Sequence, residues 1–382
     1  MIEIEDDLVV EILVRLPVKS LLRFKCVDKR WNDLFRKPTF AHRNMKMHEK
    51  KKKQCMVICE EREPPRIMIS ENYEVLESEW KNPFPDDHNV IWPMALRDTY
   101  NGVFLIKSEK LYLWNPATRE IKLIPIPPSL DPPPPSLILS YVACGLGGDP
   151  DTTDFKVFYA VTVGEQVPNP MFQDPTDDDY DRFTITYHPT SFGLYSLSTD
   201  TWTLMDFELR RQFKTTAYWN GFLFNGVLHW ASIDGNGDCI LRFDFRNNQF
   251  TTIDLPPIVH EYTDKFVEIN DSLCYAKYCP IPPDWAYSSV DIWTLEQDTC
   301  CWTKKYIFQP VHKLLKIIYF WKDAPELLGM RARLHTDANL NLVSYHPDGH
   351  IVHEFEQDIL NVRRPSDFMR KYVPSIASLS LS

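Results

Sequence analysis

Three histidines near the C-terminus, His346, His350 and His353, are spaced as metal ligands are on a helix, where steps of four and three share a face. Pro347, Asp348 and Gly349 intervene, and they read as a turn between two strands. Strand positions alternate faces, so His350 and His353 point to opposite sides, and no metal site is expected. Gly145, Gly147 and Gly148 imitate a phosphate loop. Such a loop must be followed by a helix and a lysine, whereas Phe155-Lys156-Val157-Phe158 reads as strand. The acidic stretch from Asp177 to Asp181 lacks the glycine and terminal glutamate of a calcium loop. It reads as a solvated excursion, or, through Asp177, Asp178, Asp179 and Asp181, as a contact for a basic partner. No serine, cysteine or carboxylate pair stands at triad or acid–base spacing. The chain is expected to bind rather than catalyse, with no cofactor.

Composition narrows the class further. The 382 residues carry 42 Lys+Arg against 53 Asp+Glu, a net charge of -11. The first 66 residues hold 16 basic and 11 acidic side chains, which leaves 26 and 42 for the rest. An acidic body steers basic partners toward it and nucleic acid away, although solubility alone can account for the excess. No apolar run is long enough to span a bilayer, and the acidic start from Ile2 to Asp7 is unlike a signal peptide. Nine cysteines without a CxxC pair read as reduced thiols in the cytoplasm. The run Lys50 to Lys53 is a solvated linker or, alternatively, a nuclear-import signal. Thirty prolines and 13% aromatics favour short strands and ordered loops.

The elements that must position a binding surface begin at Glu5. From there to Phe35 the chain carries more apolar side chains than three short helices can hide, the mark of a docking surface. Leu8, Ile12 and Leu16 share a helical face, flanked by Val9 and Leu13. Pro17 stops that helix. A second is predicted over Val18–Phe24, and a third from an Asp28 N-cap to about Phe35, with Val27, Trp31 and Leu34 inward. The order of Leu8, Glu11, Ile12, Leu13, Leu16, Pro17, Lys19, Ser20, Leu21, Arg23, Val27, Lys29, Trp31 and Leu34 resembles an F-box. The opening Leu-Pro of the plant pattern is replaced by Ile4-Glu5, and Asp28 stands where a small residue or Cys is usual. Both replacements sit at helix starts, where acidic groups are favoured.

A repeat follows. Five turn-centred hairpins can be read, LYLWNPATREIKLIP, FGLYSLSTDTWTLMDF, ILRFDFRNNQFTTIDL, VDIWTLEQDTCCWTKK and LVSYHPDGHIVHEF. Their turns begin at Asn115, Ser198, Arg246, Glu296 and His346, the last three steps being roughly 50 residues, a propeller-type spacing. The longer first step is assigned to a loop from Gly164 to Ser191. Asn101-Gly102-Val103 and Asn225-Gly226-Val227 mark a preceding strand, so each unit holds three or four strands. Radial stacking of such units buries both faces of every sheet. The last apolar piece, MRKYVPSIASLSL, is predicted to pair back into the first unit. Trp114, Trp202, Trp219, Trp293 and Trp302 fall at repeat positions and are read as inter-blade core.

These pieces, with YVACGLGGDPDTTDFKVF, FNGVLHWA and FWKDAPELLGM, resemble the F-box-associated domain of plants, most of all its S-locus F-box and S-locus F-box brother group. The expected architecture is mainly β with a small all-α N-terminal module. A three-helix F-box and linker occupy 1–54, and a β-propeller-like domain of about six blades occupies 55–382. The resemblance implies a non-catalytic substrate receptor of a ubiquitin ligase. Its adaptor-facing or adaptor-shaping residues would be Leu8, Ile12, Leu13, Leu16, Pro17, Ser20, Leu21, Val27, Trp31 and Leu34. The implied partners are a Skp-type adaptor, through it a cullin and a RING protein, and a target protein. In the S-locus group the target would be a basic S-ribonuclease. The alternatives are a plant F-box receptor for an endogenous regulator, and a propeller lectin or enzyme with an incidental helical leader.

Overall fold

The computed structural model describes residues 6–50, 55–60, 67–70, 75–77, 96–107, 110–127, 137–149, 154–168, 183–187, 191–207, 221–232, 239–257, 265–281, 287–296, 299–312, 314–321, 326–332, 340–355 and 365–380. Asp177 to Asp181, Lys51 to Gln54 and Trp219 lie outside them.

Four short helices open the chain, one more than expected: α1 (Asp6–Leu13), α2 (Val18–Phe24), α3 (Lys29–Arg36) and α4 (Pro38–Lys50). The fourth is a separate element because Lys37 leaves the helical region with ψ 122° before Pro38 restarts it. Val14 to Leu16 form a last turn after α1, and Pro17 becomes the N-cap residue of α2. Asp28 caps α3 as predicted, accepting the Arg30 backbone N–H at 2.8 Å.

Among the described residues the strands form six antiparallel sheets. The first three, β1 (Cys55–Glu60), β2 (Ile67–Ser70) and β3 (Val75–Glu77), belong to a sheet completed from far along the chain. Then come five sheets of consecutive strands. One is β4 (Leu96–Tyr100), β5 (Val103–Lys107), β6 (Leu111–Asn115) and β7 (Glu120–Ile124). The next holds five strands, β8 (Leu137–Gly147), β9 (Lys156–Pro168), β10 (Phe183–Tyr187), β11 (Ser191–Ser196) and β12 (Thr201–Met205). The third is β13 (Phe222–Phe224), β14 (Val227–Ser232), β15 (Cys239–Asp244) and β16 (Gln249–Asp254). The fourth is β17 (Lys265–Ile269), β18 (Ser272–Pro280), β19 (Tyr287–Glu296) and β20 (Cys301–His312). The fifth is β21 (Leu314–Trp321), β22 (Glu326–Ala332), β23 (Leu340–Tyr345) and β24 (Ile351–Glu354). Finally β25 (Pro365–Tyr372) pairs with β1, Tyr372 opposite Cys55 and Met369 opposite Ile58, so the predicted return of the last apolar piece is found.

Blades built wholly from consecutive strands therefore number five, not about six; the composite β25-β1-β2-β3 sheet is of a different kind. The loop assigned from Gly164 to Ser191 is also corrected. Its start belongs to β9, and β10 pairs back on it with Thr184 opposite Val167.

Turn chemistry explains the repeat. In each of the five predicted hairpins, one residue just before the outer strand has positive φ: Arg119 (62°), Asp200 (55°), Asn248 (54°), Cys300 (53°) and Gly349 (90°). The Asn101-Gly102 and Asn225-Gly226 pairs have both φ values positive, the primed turn that matches strand twist. Asn270 and Asp271 (50° and 54°) form a third such turn, between β17 and β18, which has no glycine to announce it. Burial differs sharply between strands. β5 is buried at nearly every position, whereas the edge strands β12 and β16 are exposed or half-buried throughout.

By internal contacts the chain forms two compact units, Met1–Leu123 with Ile253–Ser380, and Ile124–Thr252. In the first, Val267, Ala276, Ile292 and Phe308 pack with Leu314, Phe320, Leu327 and Val343. In the second, Phe158 packs against Phe243 with ring centroids 4.5 Å apart and planes tilted by 32°, among Phe192, Leu228, Trp230 and Phe245. Trp114 is core, as read, but Trp202 and Trp302 are half-buried ties. Their indole N–H groups donate, each at 2.8 Å, to the carbonyls of Pro125 and Asp254 at the ends of β7 and β16. No helix among the described residues is long and apolar enough to cross a membrane.

Candidate functional site

The helical module fills its own core and still leaves apolar groups outside. Leu13, Val14, Val18, Leu21, Phe35, Phe40, Ala41 and Met45 are all buried. Leu8 and Ile12, one turn apart on α1, are each 55% exposed, and Val27 is 66% exposed. Pro17 is exposed as well, while Leu16, Ser20, Trp31 and Leu34 are half-buried. Of the expected adaptor-facing or adaptor-shaping residues, Leu13 and Leu21 are buried and so can act only by shaping the module from within. Val27, read from the sequence as inward, is corrected. It sits in the α2–α3 turn, outside the apolar stripe of α3, so it faces solvent rather than the core. Arg30 and Asp6 lie 3.9 Å apart, which brings the start of α1 beside the start of α3. The hydrogen bond from Arg30 holds the Asp28 carboxyl below the usual carboxylate range, so the cap stays ionised.

Helix α4 fixes the α1–α2 turn. The Asn44 side chain, fully buried, donates through Nδ2 to the carbonyls of Val14 (2.7 Å) and Leu16 (2.9 Å). His48 Nε2 lies 2.9 Å from the same Leu16 oxygen. These bonds occupy carbonyls that the end of α1 leaves without intrahelical donors. Glu11 and Arg43 add an ion pair between α1 and α4. The sequence reading passed over Asn44 and His48. The signal was there: they fall in helical step with Phe40, Ala41 and Met45, two polar groups inside an apolar stripe.

Elsewhere the apparent chemistry resolves into packing. A Cβ on Gly145 would come 2.0 Å from Leu228 Cδ2, and one on Gly147 2.3 Å from Phe245 Cε2. These glycines admit a neighbouring sheet rather than a phosphate. Asn115 is wholly buried and donates to the carbonyls of Ser375 (3.1 Å) and Ala377 (2.8 Å), while its Oδ1 accepts from the Ala117 N–H at 3.0 Å. The Asn-Pro turn therefore fastens the chain's C-terminal segment.

Comparison with known proteins bears on both halves. Residues 3–43 match the model of the F-box domain, and residues 98–379 match that of the F-box associated beta propeller domain. The chain belongs to the F-box-associated β-propeller family. F-box proteins of Arabidopsis thaliana are similar along much of its length. One is 23% identical over 325 residues, 79% of this chain and 69% of that protein. A second is 22% identical over 326 residues, 80% and 74% of the two chains. F-box only protein 8 is 24% identical over 266 residues, 66% of this chain and 80% of its own. Among solved structures, a NanB sialidase from Streptococcus pneumoniae aligns over 65% of this chain and 57% of its own at 8% identity, with a TM-score of 0.37, too low for any functional argument. The chain is thus an F-box followed by a mainly-β propeller, and its F-box implies a Skp-type adaptor as partner.

Proposed function

We propose that this F-box protein is the substrate-recognition subunit of a Skp–cullin–F-box ubiquitin ligase. One observation carries the reading: the helical module spends Leu13, Val18, Leu21 and Phe35 on its own core and keeps Leu8, Ile12 and Val27 outside it. Exposed apolar residues gathered in so short a segment suit a partner's groove. The family match adds that the partner is a Skp-type adaptor, which connects to a cullin and a RING protein. The propeller holds a target protein near the ubiquitin-carrying enzyme, so the chain contributes proximity rather than chemistry. This suits a cytosolic or nuclear protein.

A narrower reading, the S-locus one, makes the target a basic S-ribonuclease. Only the excess of acidic residues beyond the first 66 supports it. An endogenous regulator of any charge fits the same fold, and the Arabidopsis relatives carry no S-locus name. The test is affinity purification of the full chain and of its Leu8→Asp/Ile12→Asp variant. The adaptor, cullin and RING protein are expected with the first and absent from the second, while target proteins stay with both. Equal recovery of the adaptor would mean that these side chains serve only the chain itself. Target binding that ignores salt concentration would count against charge steering.

A further inference from the structure

The tip of the β23–β24 hairpin carries three donor groups that adaptor docking leaves unused. His346, Asp348 and His350 bring two imidazole nitrogens and a carboxylate oxygen within 4.8 Å of one another. His346 Nδ1 stands 3.1 Å from one oxygen of Asp348, and His350 Nδ1 stands 2.5 Å from the other. The two rings lie nearly parallel, centroids 4.8 Å apart with 20° between planes. The membership differs from the sequence pattern. His353 packs edge-on against Phe355 at 4.6 Å, and Asp348 takes its place in the group.

The backbone beneath this group is held from several directions. The His346 N–H donates to the His350 carbonyl at 3.0 Å, and the Gly349 N–H to the His346 carbonyl at 2.9 Å. The Pro347 carbonyl accepts from Gln309 of β20 at 2.8 Å, which fastens the tip to the neighbouring sheet. Pro347 fixes its own φ, and Gly349 supplies the 90° that a side chain resists. The donors therefore converge before any ligand arrives, and the cost of ordering the loop on binding is small.

We propose that His346, Asp348 and His350 form a three-ligand site for a divalent transition-metal ion of zinc-like preference, with the fourth position left to water or an outside donor. Bonds of about 2.0–2.1 Å in a tetrahedral site put ligand atoms about 3.3 Å apart. The Asp348–His346 distance meets that value already, and the widest pair closes by rotation of exposed side chains. Two imidazoles with one carboxylate favour such an ion over calcium or magnesium, which take oxygen ligands.

The experiment is a calorimetric titration of the metal-stripped full chain with Zn2+, after alkylation of its thiols, since Cys26, Cys300 and Cys301 are exposed. The wild-type chain is expected to take up one equivalent more than a His346→Ala/His350→Ala variant of equal thermal stability. Asp348→Asn keeps an acceptor in the turn but loses the charge, and should weaken that uptake roughly tenfold or more, a loss that even outer-shell partners can cause. Co2+ should give ligand-field absorption without a sulfur charge-transfer band, and the double variant should abolish it. Equal stoichiometry in wild-type and double variant, or an unchanged cobalt spectrum, overturns the proposal and leaves Asp348 as a hydrogen-bonding bridge of the turn.

Discussion

Replacing Asn44 by Ala tests whether α4 positions the α1–α2 turn. The side chain is fully buried and makes two hydrogen bonds, to Val14 O and Leu16 O. Each is worth about 1 kcal/mol net, and a buried carbonyl left without a donor adds about 1–3 kcal/mol. Leu16 O keeps His48, so that penalty falls on Val14 O alone. The two bonds and that penalty sum to about 3–5 kcal/mol, a large fraction of what holds a four-helix module of this size together. Hydrogen exchange resolves it locally. Amides of residues 14–21 should exchange from about a hundredfold to a few thousandfold faster, while the strands keep their protection. Adaptor affinity measured on the same protein should fall as well, because the segment bearing Leu16 and Pro17 no longer holds one position. Unchanged exchange at residues 14–21 would refute the reasoning, whatever happened to docking.

Three other outcomes follow from the geometry. Asn115→Ala removes two donors and an acceptor from a buried site and should cost about 2–4 kcal/mol in denaturant unfolding, with exchange rising first over residues 373–379. Burial, then the charge of Arg242, pushes the His229 pKa down to about 4 from an ordinary 6.5. Its unfolded form binds a proton first, so stability is complete above about pH 6.5 and is lost as pH falls toward 4. Between pH 7 and 5 this amounts to about 2 kcal/mol, and the loss should shrink in His229→Gln when unfolding is measured at both pH values. Gly145→Ala drives a methyl into Leu228, which is fully buried, and should destabilise by about 1–3 kcal/mol; adding Leu228→Ala should recover part of it.

The hairpins were legible because their turns need left-handed residues. Asn, Asp and Gly fill most of these positions for a steric reason that the sequence displays directly, with Arg119 and Cys300 the exceptions. The Asn270-Asp271 turn escaped because neither residue is glycine, although both adopt positive φ. The pairing of β25 with β1 could be anticipated, since an apolar terminal segment needs a sheet edge. The inward or outward sense of the first helices was less readable. Leu8, Ile12, Leu13 and Leu21 are alike in type, and only the packing of the helices against one another decides which of them are covered. The glycines of β8 imitate a phosphate loop for a related reason, because a side chain absent for the sake of a neighbour looks the same as one absent for a ligand. The acidic run at Asp177 lies outside the described residues.

The sheet shared by β25 and β1–β3 bears on how the protein is made. A nascent chain displays its first strands hundreds of residues before their partner leaves the ribosome, so an early portion waits unfinished until synthesis nears Tyr372. Any message cut short after β24 yields a product with the adaptor clasp intact and a sheet lacking its closing strand. Such a product could occupy ligase machinery without a finished cargo domain, unless quality control removes it first.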